Sequence, residues 1–197
     1  MKRGALIAIE GIDGAGKTAV ATWLVDRLRE TGYGSVYTRE PTDGPIGQLL
    51  RAGALGDSGD PRIDALLFAA DRLYHLNHTI EPLLRQGYVV VSDRYVHSSI
   101  AYQGAMTGDR AWVEELNRFA GDPDLAVYLD VDPETGLRRK GGAGRTKFER
   151  PEVLEVVRRV YLALCDEGRL VLVDARRDLD SVREDVLREV LRLLQRV

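Results

Sequence analysis

Gly11-Ile12-Asp13-Gly14-Ala15-Gly16-Lys17-Thr18 fits the phosphate-loop pattern Gly-x4-Gly-Lys-[Ser/Thr] without a mismatch. The short apolar run Ala5 to Ile9 precedes it, and Ala19 to Leu28 follows with helical spacing. Strand, glycine loop and helix are the context in which this motif cradles phosphates. Gly11, Gly14, Ala15 and Gly16 allow the backbone to wrap a phosphate chain and aim N–H groups inward, beside the positive end of a helix. Lys17 can reach the β- and γ-phosphates, and the Thr18 hydroxyl can ligate Mg²⁺. A chance glycine turn with an exposed lysine is the bland alternative, and the flanks argue against it. The expectation is a protein that binds a nucleoside triphosphate.

Composition narrows the class. At 197 residues, 44% hydrophobic and 30% charged, the chain suits one globular domain, 1–197, with a full core. The net charge, 28 − 31 = −3, is a poor basis for binding a nucleic-acid polymer. No apolar run is long enough to span a bilayer. Met1-Lys2-Arg3-Gly4 runs straight into the first strand, which leaves no room for a signal peptide. Cys165 is the only cysteine, so neither an intrachain disulfide nor a cysteine metal site is expected. These features point to the cytoplasm and to no membrane partner. Of the basic residues only Lys2, Lys17, Lys140 and Lys147 are lysine.

Strand-like and helix-like segments alternate. Strands are expected at 35–39, 88–93, 125–130 and 170–173 after the first, and helices near 46–51, 62–78, 111–119, 152–167 and 179–197. The 62–78 helix should continue past Pro82 with a kink. This order predicts a parallel five-stranded α/β sheet of the phosphate-loop NTPase type, with helices on both faces and a short lid near 138–150. Chemistry should gather at the C-terminal ends of the strands.

One such end is Asp93-Arg94-Tyr95-Val96-His97-Ser98-Ser99-Ile100-Ala101-Tyr102-Gln103. A carboxylate there can hold Mg²⁺ or accept a proton, and an arginine can clamp a second phosphate. A structural Asp–Arg ion pair is the competing reading. The run Asp-Arg-Tyr-x-x-Ser-Ser-x-Ala-Tyr-Gln resembles the signature of thymidylate kinases. Thr38-Arg39-Glu40-Pro41, Leu67 to Arg72, Asp130 to Glu134 and Thr146-Lys147-Phe148-Glu149 resemble further segments of that family. The resemblance runs from about Ile7 to the final helix.

It implies transfer of the γ-phosphoryl group of ATP to dTMP, with Mg²⁺, by a homodimer. Lys17 and the loop amides would then hold the donor, while Arg39 and Arg94 hold the acceptor phosphate and Pro41 and Ser98 also bind the substrate. Asp13 would organise the acceptor side; a turn-stabilising Asp bonded to its own backbone is the competing reading. Phe68 and Arg72 lie four apart on one helix face. By pattern alone the first suits a core and the second solvent, whereas the resemblance makes them a stacking platform and a reader of thymine O4. Ser99 and Gln103 would complete base recognition, with Tyr102 against the deoxyribose. Arg138 and Arg176 would flank the adenine.

Residues 12–15 carry no cation, so the resemblance implies that a lid residue supplies one. Arg145 is the first choice because it follows the glycine hinge, with Arg139 and Lys147 next. Thr146-Lys147 stands where the family usually has Asp-Arg, which leaves the residue open. Another phosphate-loop deoxynucleoside or nucleotide kinase is the nearest rival function. A signalling GTPase would want an Asn-Lys-x-Asp guanine reader, and the chain has none.

Overall fold

Two strands are buried along their whole length, β1 (Leu6–Glu10) and β3 (Val89–Asp93). Their near-continuous apolar sequences, Leu-Ile-Ala-Ile and Val-Val-Val, suit strands covered on both faces. In the computed structural model, which describes residues 3–52, 60–141, 148 and 150–195, they pair in parallel with Ile7 opposite Val91. β2 (Ser35–Arg39) lies outside β3, and β4 (Leu125–Asp130) and β5 (Val171–Asp174) extend the other side. The order is β2-β3-β1-β4-β5, parallel throughout. The five-stranded parallel α/β expectation is thus met.

The helices are α1 (Lys17–Glu30), α2 (Pro45–Arg51), α3 (Pro61–His75), α4 (Glu81–Arg85), α5 (Val96–Thr107), α6 (Arg110–Leu116), α7 (Pro133–Lys140), α8 (Pro151–Asp166) and α9 (Leu179–Leu194). Their starts follow local chemistry. Pro61, Pro133 and Pro151 occupy first turns, where a missing N–H costs nothing. Asp132 and Asp178 cap α7 and α9 through bonds from the Thr135 and Ser181 amides.

The expected kink at Pro82 takes another form. A single π turn, Leu76–Ile80, joins α3 to α4, and Pro82 falls in the first turn of α4. The wider turn resets the hydrogen-bond register just before the residue that cannot donate. Two helices were not expected. α5 fills the Asp93-to-Gln103 motif, and α7 runs to Lys140, which makes residues 138–140 its last turn.

Candidate active site

The loop from β1 to α1 lies at the C-terminal edge of the sheet. Gly16, at φ +93°, caps α1 in the left-handed region, which costs an L side chain about 1–2 kcal/mol. Lys17 opens the helix and folds back, donating from Nζ to the Ile12 carbonyl (2.9 Å). Burial, then the nearby Arg94 charge, lowers its pKa to about 8. The Thr18 hydroxyl donates to Asp93 Oδ2 at the end of β3 (2.5 Å). This pairs a hydroxyl with a carboxylate, hard oxygen donors of the kind that Mg²⁺ accepts beside substrate phosphates.

Two cavities meet at this loop. The first, about 720 Å³, is bounded by Gly14 to Thr18 and, across from them, by Ala175, Arg177 and Arg139. Arg138 and Arg176, expected beside the adenine, do not line this cavity, whereas their neighbours Arg139 and Arg177 do. Arg138 points round the helix from Arg139; it donates to Thr135 Oγ1 (3.2 Å) and borders a separate hollow with Leu137 and Pro151. Arg176 folds onto Asp174, bonding it from both backbone and side chain, and stays exposed. Arg139 instead donates to the Ala175 carbonyl (2.8 Å).

The second cavity, about 570 Å³, brings together Arg39, Pro41, Phe68, Arg72 and Arg94 with Ser98, Ser99, Tyr102 and Gln103 of α5. The Glu40–Pro41 peptide is cis. Asp13, Lys17 and Thr18 line both cavities. Arg94 lines the second cavity and has φ +72°, the only described non-glycine residue with a positive φ. Its guanidinium donates to the Gly11 carbonyl (3.0 Å), Ser98 Oγ (3.2 Å) and Asp13 Oδ1, and lies over the Tyr102 ring. Burial works to raise the Asp13 pKa, but Arg94, Lys17 and Lys140 together hold that carboxyl well below its usual range.

Sequence reasoning missed several partners. Glu10, fully buried at the end of β1, accepts from the Tyr95 amide (2.8 Å), Ser98 Oγ (2.6 Å) and Tyr161 hydroxyl (3.0 Å). It thereby fixes the turn that carries Arg94. A lone carboxylate closing an apolar strand was the available signal. Arg72 is fully buried, held by Glu40 Oε2 (2.9 Å), Ser99 Oγ (3.0 Å), Asn117 Oδ1 (2.5 Å) and the Tyr95 carbonyl (3.1 Å). His75 bonds the other oxygen of Glu40 (3.0 Å). Nothing in the sequence marks Asn117. Phe148 meets Phe68 and Tyr102 edge-on, with ring centroids at 6.3 and 6.2 Å. Arg145, and the runner-up Lys147, lie outside the described residues.

Comparison with known proteins adds a separate line of support. The family model described as Thymidylate kinase matches residues 9–186. A probable thymidylate kinase of Pyrobaculum aerophilum is 46% identical over 196 residues, covering 97% of this chain and 98% of its own. A second, from Staphylothermus marinus, is 46% identical over 191 residues, 95% of each chain. A thymidylate kinase of Brachyspira hyodysenteriae is 38% identical over 193 residues, covering 95% of this chain and 94% of its own.

Proposed function

The chain belongs to the thymidylate kinase family, and on that premise we propose how its residues divide the work. The enzyme transfers the γ-phosphoryl group of ATP to dTMP and gives dTDP. The observation that carries the assignment of sites is the pair of cavities that share Asp13, Lys17 and Thr18. A plain hydrolase needs one phosphate pocket; a kinase with a phosphorylated acceptor needs a second anion site facing the first.

In this reading ATP occupies the cavity of Gly14 to Thr18, with Lys17 and the loop amides on its phosphates and Arg139 and Arg177 beside the base. dTMP occupies the other. Arg94 and Arg39 hold its phosphate, Asp13 keeps Arg94 aimed, Phe68 stacks the thymine and Tyr102 packs the sugar. Arg72, held by Glu40 and Asn117, sets its positive charge at the base edge beside Ser99 and Gln103, which favours a carbonyl oxygen there over an amino group. Thr18 and Asp93 would hold Mg²⁺, which when bound neutralises charge on the donor phosphates. An oxygen of the dTMP phosphate forms the new bond to the γ-phosphorus. The bond from that phosphorus to the β–γ bridging oxygen breaks, and ADP leaves with the electron pair. The dTMP phosphate is largely dianionic at neutral pH, so the step needs no general base. Positioning and charge neutralisation do the catalysis.

We further infer a homodimer in the cytoplasm and a single kinase domain. Ile63, Leu66 and Leu73 leave an exposed apolar stripe along α3, which supports the pairing of helices. Among the described residues no helix is long and apolar enough to cross a membrane.

A steady-state assay with ATP and Mg²⁺ over dTMP, dCMP and thymidine tests the reading. dTMP should be turned over far faster than either other acceptor. Preference for thymidine would make the protein a nucleoside kinase. Equal use of dCMP would remove Arg72 from base selection.

A further inference from the structure

We propose that Lys140 is the cation that meets the phosphoryl group in transit, an inference resting on the reading of the two cavities as donor and acceptor sites. α7 sits on the phosphate loop backbone to backbone. A Cβ on Gly14 would come within 1.9 Å of the Gly136 carbonyl oxygen, and one on Gly136 within 2.7 Å of the Asp13 carbonyl oxygen. Gly136 and Lys140 are one helical turn apart and share a face. The face that touches the loop therefore carries the ammonium to it.

Lys140 Nζ lies 2.9 Å from Asp13 Oδ2. Like Asp13, Lys17 and Thr18, it lines both cavities, so among the described residues the junction has two lysines. Lys17 is bound into the loop through the Ile12 carbonyl. Arg139, one position back, turns to the Ala175 and Arg176 carbonyls. The sequence put Arg145 first for this charge, with Arg139 and Lys147 next; among the described residues it is Lys140 that α7 brings to the junction.

Among the described residues Asp13 faces three cations: Arg94, Lys140 and, at 3.9 Å, Lys17. Lys140 can swing to a phosphate oxygen while Arg94 still pairs the carboxylate. Its side chain keeps about a third of its surface exposed, which leaves it room to move. As the γ-phosphoryl passes from the ADP oxygen to the dTMP oxygen, negative charge spreads over its equatorial oxygens. An ammonium reaching those oxygens from between the sites stabilises that state more than either bound ground state.

Lys140→Met keeps the aliphatic stem and removes the charge; Lys140→Arg keeps the charge. Dissociation constants for ATP and dTMP are measured by calorimetry beside kcat, with thermal melts confirming that each variant folds. Lys140→Met should lower kcat by roughly 10²- to 10³-fold, at or below the factor of about 10³–10⁵ that an arginine finger supplies. Both dissociation constants should stay within a few-fold, and Lys140→Arg should restore most of kcat. Near-normal kcat in Lys140→Met overturns the proposal. So does weaker or tighter dTMP binding at unchanged kcat, which would make Lys140 only a latch on Asp13. Failure of Lys140→Arg to recover activity beyond Lys140→Met also overturns it. A wild-type protein that makes no dTDP takes down the underlying reading as well; an active one with an unaffected Lys140→Met takes down this proposal alone.

Discussion

Arg94 shows how one residue's chemistry depends on others far away in sequence. Its left-handed backbone costs about 1–2 kcal/mol in an L residue. Glu10 offsets this by receiving the Tyr95 amide and the Ser98 hydroxyl, and the Arg94 amide itself bonds the Ile9 carbonyl (3.0 Å). The Asp93-Arg94 pair was legible because its motif is contiguous. Asn117 and Tyr161 were not, because only tertiary packing brings them to Arg72 and Glu10. Lys17 gives a prediction at the same scale. With burial lowering its pKa to about 8, it loses most of its charge by pH 9. ATP phosphates favour the charged form, so binding above that pKa takes up a proton, and affinity must fall as pH rises. Calorimetry at fixed Mg²⁺ and ionic strength should show ATP affinity steady below pH 8 and weakening toward tenfold per unit above it. Flat affinity from pH 7 to 9.5 would contradict the assigned contact.

At the scale of elements, the apolar strands and the long amphipathic helices were readable from periodicity, and α5 and α7 were not. α5 carries Ser98, Ser99, Tyr102 and Gln103 toward the acceptor cavity, and its residues from Val96 to Gly104 are buried on every side. A helix without a polar face has no amphipathic period to detect. α7 is short and ends in Arg138-Arg139-Lys140, which reads as a solvated loop until its contact with the phosphate loop is seen. That same contact explains why adjacent arginines differ: a helix turns about 100° per residue, so Arg139 faces the donor cavity and Arg138 does not. The seat of α7 can be tested without touching a charge. Gly136→Ala would force a methyl toward the Asp13 carbonyl and the Ile12 side chain. Overpacking of this kind costs about 1–3 kcal/mol, and it should also lift Lys140 from the junction. Denaturant unfolding should register the first effect and a fall in kcat the second. Wild-type stability and kcat together would mean that α7 does not need this contact.

For the whole molecule, the parallel order β2-β3-β1-β4-β5 sets the phosphate loop between the ends of β3 and β4. One side then faces α3 and α5, which build the acceptor cavity, and the other faces α7 and the turn after β5, which border the donor cavity. Alternation of strands and helices made the fold class legible. The two-cavity arrangement needed the strand order, which the sequence alone leaves open. The central claim is that donor and acceptor occupy distinct cavities that meet at Asp13, Lys17 and Thr18, with Arg94 serving the acceptor. The direct test is calorimetric titration of Arg94→Ala with ATP and, separately, with dTMP. Losing a charge-assisted bond is worth about 1.5–3 kcal/mol, so dTMP should bind roughly 10- to 150-fold more weakly while ATP affinity stays within a few-fold of wild type. A loss of ATP affinity with dTMP binding intact would contradict the account.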